Sequence, residues 1–324
     1  MPLTLDNLGS TLWLCEPAQL QRAATRVLAH KTCPTARELV EERNRRLDEI
    51  RAQCSRVWPG VRFASTDTMH PDERAQAKPL RGIKGGVGVL PIYGVIEKRL
   101  SSELLKAGGT AVEEISAGLD SLLANKGIEA IVLDVDSPGG SASGIKTLSD
   151  KIFNARGEKK IYAVANSMAA SAAYWIASAA GQVMVDPGGE VGSVGVYALH
   201  MDQSAAMEQA GIKVTMIHAG KYKVEGNPFE PLSPDTRDAW QGMVNTTYNM
   251  FTDDLKRNRG VGIEAVRNNF GQGRLVQAEE AVSRGMADRV MSFETLMSRL
   301  IGGGNPGKAN AMRLKHEAAK ARDS

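Results

Sequence analysis

Residues 128–186, IEAIVLDVDSPGGSASGIKTLSDKIFNARGEKKIYAVANSMAASAAYWIASAAGQVMVD, hold three short apolar runs separated by two stretches of helical pattern. IEAIVLDV (128–135), KIYAVA (160–165) and QVMVD (182–186) are too short for helices and rich in β-branched residues, which marks them as buried strands. Helices are expected over about 142–157 and from Ser171 onward. Strand followed by helix, repeated, predicts an α/β architecture with parallel strands.

The same alternation extends outward in both directions. Upstream, VGVLPIYGVI (87–96) reads as a strand followed by a helix near 110–125. Downstream come VGSVGVYA, a helix near 203–210, the strand KVTMIH (213–218), a long helix over about 234–258, and QAEEAVSRGMADRV as a helix with a short closing strand. Residues 1–83 read as a separate, mostly helical region, and Ser65–Gly86, with Pro71, Pro79 and glycines at 82, 85 and 86, as the linker that ends it. The main domain is expected over 84–301, and the polar stretch 302–324, opened by GGG, as a flexible basic tail.

Composition excludes several functions. The formal net charge is +3, and the tail from Gly302 alone holds five cations against two anions, so the rest of the chain sums to zero. That balance suits no nucleic-acid groove, which must neutralise several phosphates. The three cysteines, Cys15, Cys33 and Cys54, form no close ligand pair, and their odd number argues against a disulfide framework. There is no basic segment leading into a long apolar run at the start, and no stretch reaches the roughly 18 apolar residues of a membrane span, so the expected compartment is the cytoplasm.

Chemistry is expected where buried strands end. DSPGG (136–140) reads as a tight turn exposing backbone N–H groups, the kind of donor set that stabilises an oxyanion. NSMAAS (166–171) places Ser171 at the start of a helix, beside unsatisfied N–H groups and the positive end of the dipole. A plain helix N-cap is the competing role for Ser171. Of the five histidines, only His218 falls near the candidate loop, and none sits in a pattern that marks a triad partner. The loop AGKYKVEGNPF (219–229) offers Lys221 and Lys223; a desolvated lysine can serve as general base, and physics alone does not choose between them.

Four segments in this order, DSPGG, NSMAAS, GSVGV and GKYKVEGNPF, resemble the Ser-Lys signal peptide peptidases and their relatives, the capsid assembly proteases of lambda-like phages. The resemblance covers roughly residues 87–292 and is strongest to the phage branch, through KVEGNPFEPLSPD and WLCEPAQL. It implies Ser171 as nucleophile, Lys223 as base, Ser193 as the residue orienting the lysine, and an oxyanion hole from the backbone N–H groups of Gly139 or Gly140 and of Ala172. It implies a Clp protease/crotonase-like fold of repeated β-β-α units, homo-oligomers, and peptide hydrolysis with no metal or cofactor. Protein or peptide substrates follow, phage head or scaffold proteins first and released signal peptides second. A non-catalytic assembly protein and a crotonase-type acyl-CoA enzyme are the competing classes; the second needs no Ser-Lys pair. Ala172 departs from the glycine of many relatives but keeps the N–H.

Overall fold

The computed structural model describes residues 86–302, apart from 102–103 and 105–107, together with the strand segments 13–15 and 61–63. Among these residues ten strands form one sheet, whose main path is β10–β7–β6–β5–β3–β2. The strands are β1 (Trp13–Cys15), β2 (Val61–Phe63), β3 (Gly86–Glu97), β4 (Thr110–Ala111), β5 (Ile128–Ser141), β6 (Lys160–Ala170), β7 (Gln182–Val185), β8 (Glu190–Gly192), β9 (Leu275–Gln277) and β10 (Arg289–Val290). Every pairing along the main path is parallel, whereas β1–β5 and β8–β9 are antiparallel. The fold is mixed α/β, with strand and helix repeating as the hydrophobic pattern predicts.

The central strands are buried on both faces because each face has its own cover. On one side, α1 (Val112–Ala124), α2 (Ile145–Ala155) and α3 (Ala172–Ser178) pack on Leu90, Ile92, Ile131, Leu133 and Val135. On the other, Val87, Val89, Val132, Val164 and Met184 meet Met291, Phe293, Leu296 and Met297. The last three belong to a C-terminal helix (Phe293–Gly302) that periodicity around it did not announce. Two-sided cover explains why IEAIVLDV is nearly continuous in its apolar character rather than alternating.

Two expected elements differ. DSPGG is not a turn: it continues β5 through to Ser141, with Gly139 and Gly140 paired to Val95 and Ile96 of β3. Gly140 stands so close to β3 that a Cβ on it would lie 1.8 Å from the Ile96 carbonyl oxygen, so the glycine serves close strand approach rather than chain reversal. KVTMIH forms no strand, and Lys213–Ala219 make no backbone hydrogen bond with described residues. Its β-branched residues favour a strand only where a partner edge exists. Most of the helical region expected over 1–83 lies outside the described residues, as does the tail beyond 302. The two described parts of it, β1 and β2, are strands of the main sheet.

One polar cluster interrupts the apolar face of the sheet. Asp134 on β5, 5% exposed, accepts hydrogen bonds from the Tyr93 hydroxyl and, at 3.2 Å, from Asn166 Nδ2. Burial pushes its carboxyl up to about 6, against the lowering effect of those two bonds and with help from nearby Asp136 and Glu294. A carboxyl raised on folding binds its proton more tightly in the folded state, so this group withdraws stability as pH rises from about 4 through 6. The magnitude is about 2 to 3 kcal/mol, at 1.36 kcal/mol per pKa unit. Asp134→Asn is expected to remove that slope: denaturant midpoints of wild type and variant should converge at pH 4.5 and separate at pH 7.5, the variant being the more stable. Parallel midpoints at both pH values would show that Asp134 does not titrate in this range.

Candidate active site at the carboxyl end of the sheet

Ser171 sits where β6 ends and α3 begins. Its N–H donates to the Gly192 carbonyl at 2.7 Å, which extends the Ala170–Gly192 pairing of β6 and β8 by one bond. The backbone at Ser171 takes φ 53° and ψ −116°, a conformation that costs a non-glycine residue on the order of 1 to 3 kcal/mol. The residue is 1% exposed, and its hydroxyl makes no capping bond to the helix it opens. A serine chosen as an N-cap would use that bond. The structure therefore removes the plain cap role.

Helix α3 is held rigidly behind this serine. All seven of its residues are buried, as the small, apolar AAYWIAS requires. The Trp175 ring stacks on Phe251 at 4.7 Å, and its indole Nε1 donates to Asp254 Oδ2 at 2.7 Å. Asp254 is itself paired with Lys146 and Arg257, each at 3.2 Å. Tyr174 donates to the Met286 carbonyl at 2.9 Å, and Asn258 Nδ2 donates to the Ser178 hydroxyl at 3.0 Å. Phe251, Asp254 and Asn258 all lie on α5 (Pro234–Arg259), the helix that follows the 219–229 loop; the short α4 (Ser204–Gln209) precedes that loop.

Ser193 follows Gly192 directly, so β6 and β8 bring Ser171 and Ser193 to adjacent strand ends. Ser193 is 6% exposed, has φ 51°, and donates its N–H to the Arg274 carbonyl at 2.9 Å. Three described non-glycine residues have positive φ, and two of them are these serines. Strain gathered at neighbouring strand ends is a mark of functional sites.

Gly139 and Gly140 reach the same end of the sheet on β5, whose Ser137 pairs with Ala169 of β6. Gly139 has φ 95°, and its N–H already donates to Ser137 Oγ at 3.1 Å. Ser137 Oγ in turn donates to the Gly94 carbonyl at 2.6 Å. Ala172, fully buried, is the first residue of α3, and its N–H has no carbonyl to meet within the helix.

The structure does not join the lysine to this group. Lys223 is exposed; its N–H donates to the Gly220 carbonyl at 3.1 Å, and no hydrogen bond or ion pair links its side chain to another described residue. Lys221 differs, because its Nζ lies over the Tyr222 ring, 4.7 Å from the centroid. His218 Nδ1 lies 3.1 Å from the Gly220 carbonyl and His200 Nε2 3.0 Å from the Asn227 carbonyl, so each meets a backbone oxygen rather than a carboxylate. The cluster that buried Asp134 makes with Tyr93 and Asn166 escaped sequence reasoning; the one local signal was a charged residue inside the apolar run IVLDV (131–135).

The chain is 30% identical over 240 residues to the head-tail preconnector protein GP5 of Enterobacteria phage P21, a match covering 74% of this chain and 47% of that protein. It is 31% identical over 210 residues to capsid assembly protease C of Escherichia phage lambda, covering 65% of this chain and 47% of the relative. Protease 4 of Haemophilus influenzae matches at 24% identity over 66% of this chain and 34% of its own. The chain thus spans about half the length of the first two relatives. Among solved structures, a ClpP1 mutant of Listeria monocytogenes aligns over 64% of this chain and 94% of its own, at 16% identity and a TM-score of 0.42. Among the described residues no helix is long and apolar enough to cross a membrane. The model of peptidase family S49 matches residues 154–302, the span that holds Ser171, Ser193 and Lys223, and the chain belongs to that family.

Proposed function

We propose that this chain is a serine endopeptidase in which Ser171 attacks the peptide carbonyl, Lys223 takes the hydroxyl proton, and Ser193 holds the lysine. The observation that carries the reading is Ser171 itself: a buried, strained serine at a strand–helix junction whose hydroxyl caps nothing. Lys223 then gives the proton to the departing amine, and water releases the acyl group from Ser171. Ala172 and Gly140 are the favoured oxyanion donors, since the Gly139 N–H is already held by Ser137 Oγ. Each such donor contributes about 3 to 4 kcal/mol to barrier lowering.

The substrate in this reading is a phage head or scaffold protein processed during shell assembly, supported by the phage relatives. Self-association belongs to the same reading, together with the Clp protease/crotonase-like fold. Every exposed large hydrophobic residue among those described, from Met201 to Met250, lies in one fifty-residue stretch, with Ile217 98% exposed. That stretch also contains Lys223 and the unpaired backbone of Lys213–Ala219. A copy of the chain docked there would cover the apolar side chains and give the backbone its partners.

The test is labelling with a fluorophosphonate probe followed by peptide mapping. Modification is expected at Ser171 alone; modification of another serine, with Ser171 untouched, would overturn the assignment.

A further inference from the structure

The β1 strand lies where an incoming peptide would have to lie. Residues Gly139 and Gly140 have two hydrogen-bonding edges. One faces Val95 and Ile96 of β3, and the other faces Cys15 and Leu14 of β1. Earlier along β5 that second edge belongs to β6, up to the pair Ser137–Ala169. β6 then ends at Ala170, and the chain turns away at Ser171 into α3. β1 therefore takes the edge that β6 vacates. Continuing the Ser137–Ala169 register by two residues sets position 171 opposite Gly139, whose partner on that edge is Cys15.

An open sheet edge binds an extended peptide by strand addition, through main-chain hydrogen bonds that any sequence can make. A peptide added antiparallel to Gly139–Ser141 would run past Ser171, with its carbonyls near the Gly140 and Ala172 N–H groups. That place holds an antiparallel strand from this chain's own N-terminal region, reached across more than a hundred residues of sequence. We infer that Trp13–Cys15 is a tethered competitor of substrate, filling the peptide-binding edge of β5 beside Ser171 until a substrate strand displaces it. The inference rests on the reading of Ser171 as nucleophile. It adds what regulates that site and from which part of the molecule.

Displacing β1 without removing it is the direct test. In a β-strand adjacent N–H groups point to opposite edges, so of Leu14 and Cys15 one donates toward β5. The full-length variant Leu14→Pro/Cys15→Pro removes that donor whichever it is; Cys15→Pro alone is the milder second variant. A tethered segment acts at an effective concentration in the millimolar range, so its release is expected to lower KM for a peptide substrate at least about threefold. kcat should not change, and probe labelling of Ser171 should accelerate to a similar extent. A synthetic peptide of residues 10–18 added in trans should restore the higher KM competitively in the variants. A strand with a purely structural role would instead leave KM unchanged and lower thermal stability and kcat together. Equal KM and equal labelling in wild type and both variants would overturn this inference alone. Absence of Ser171 labelling in all three would bring down the peptidase reading, and this inference with it.

Discussion

Ser171→Ala is expected to lower kcat/KM for peptide hydrolysis by about 10⁴-fold or more, the scale on which removal of a serine nucleophile acts. The fold should survive, and the sign of the stability change is diagnostic. If the hydroxyl were a helix cap, its loss would cost about 1 kcal/mol. Ser171 makes no capping bond and is 1% exposed, so deleting a buried hydroxyl is expected to leave the melting temperature unchanged or slightly raised. Lys223→Ala should bring a loss of similar size with no effect on stability, because no hydrogen bond or ion pair ties its side chain to another described residue. The double variant should be no worse than either single one, since nucleophile and base act as a unit. Lys221→Ala should stay close to wild type in activity, its ammonium being engaged over Tyr222. Near-full activity in Lys223→Ala combined with loss in Lys221→Ala would transfer the base to Lys221.

Gly140→Ala is expected to be the most damaging glycine-to-alanine change among the described residues. The added Cβ would stand 1.8 Å from the Ile96 carbonyl oxygen and 2.6 Å from both the Ile96 nitrogen and carbonyl carbon. These are backbone atoms of a paired strand, so no side chain can rotate to make room. Either β3 and β5 separate or the glycine peptide rotates out of register. A cost of about 3 kcal/mol or more follows, at the upper end of overpacking effects, or roughly a 10 °C fall in melting temperature for a domain of this size. Hydrolysis should fall as well, since any rotation of that peptide moves an N–H proposed to meet the oxyanion. Gly157→Ala is the matched control: its Cβ would find only the Asn154 carbonyl oxygen, at 3.6 Å, and should be almost neutral. Thermal scans of the two variants side by side check the pair, and a Gly140→Ala melting point within 2 °C of the control would contradict the close approach of β3 and β5.

Local pattern carried much of the architecture. Apolar runs at 128–135 and 160–165 became β5 and β6 because burial on both faces leaves no polar alternation to misread. The long amphipathic stretch 234–258 became α5, with Ser233 as its cap and Gly260 in the left-handed conformation at its end. Ser171 was legible for the same reason: the junction between an apolar strand and a helix of small residues is written in neighbouring residues.

Where pairing partners are distant in sequence, local reading failed. Pro138, Gly139 and Gly140 have the composition of a turn, yet they continue a strand, because Gly140 is needed for the approach of Ile96 from another part of the chain. KVTMIH has the composition of a strand and forms none, because no described edge is offered to it. The sequence by itself determined the alternating α/β plan and a serine at the carboxyl end of β6, both consequences of 2- and 3.6-residue periodicities. Only the tertiary structure decided that Ser171 carries strain and no cap, that Asp134 is buried against Tyr93 and Asn166, and that Trp13–Cys15 lies along the edge of β5. Each of these depends on which distant backbone or side chain fills the neighbouring space, and no local period records that.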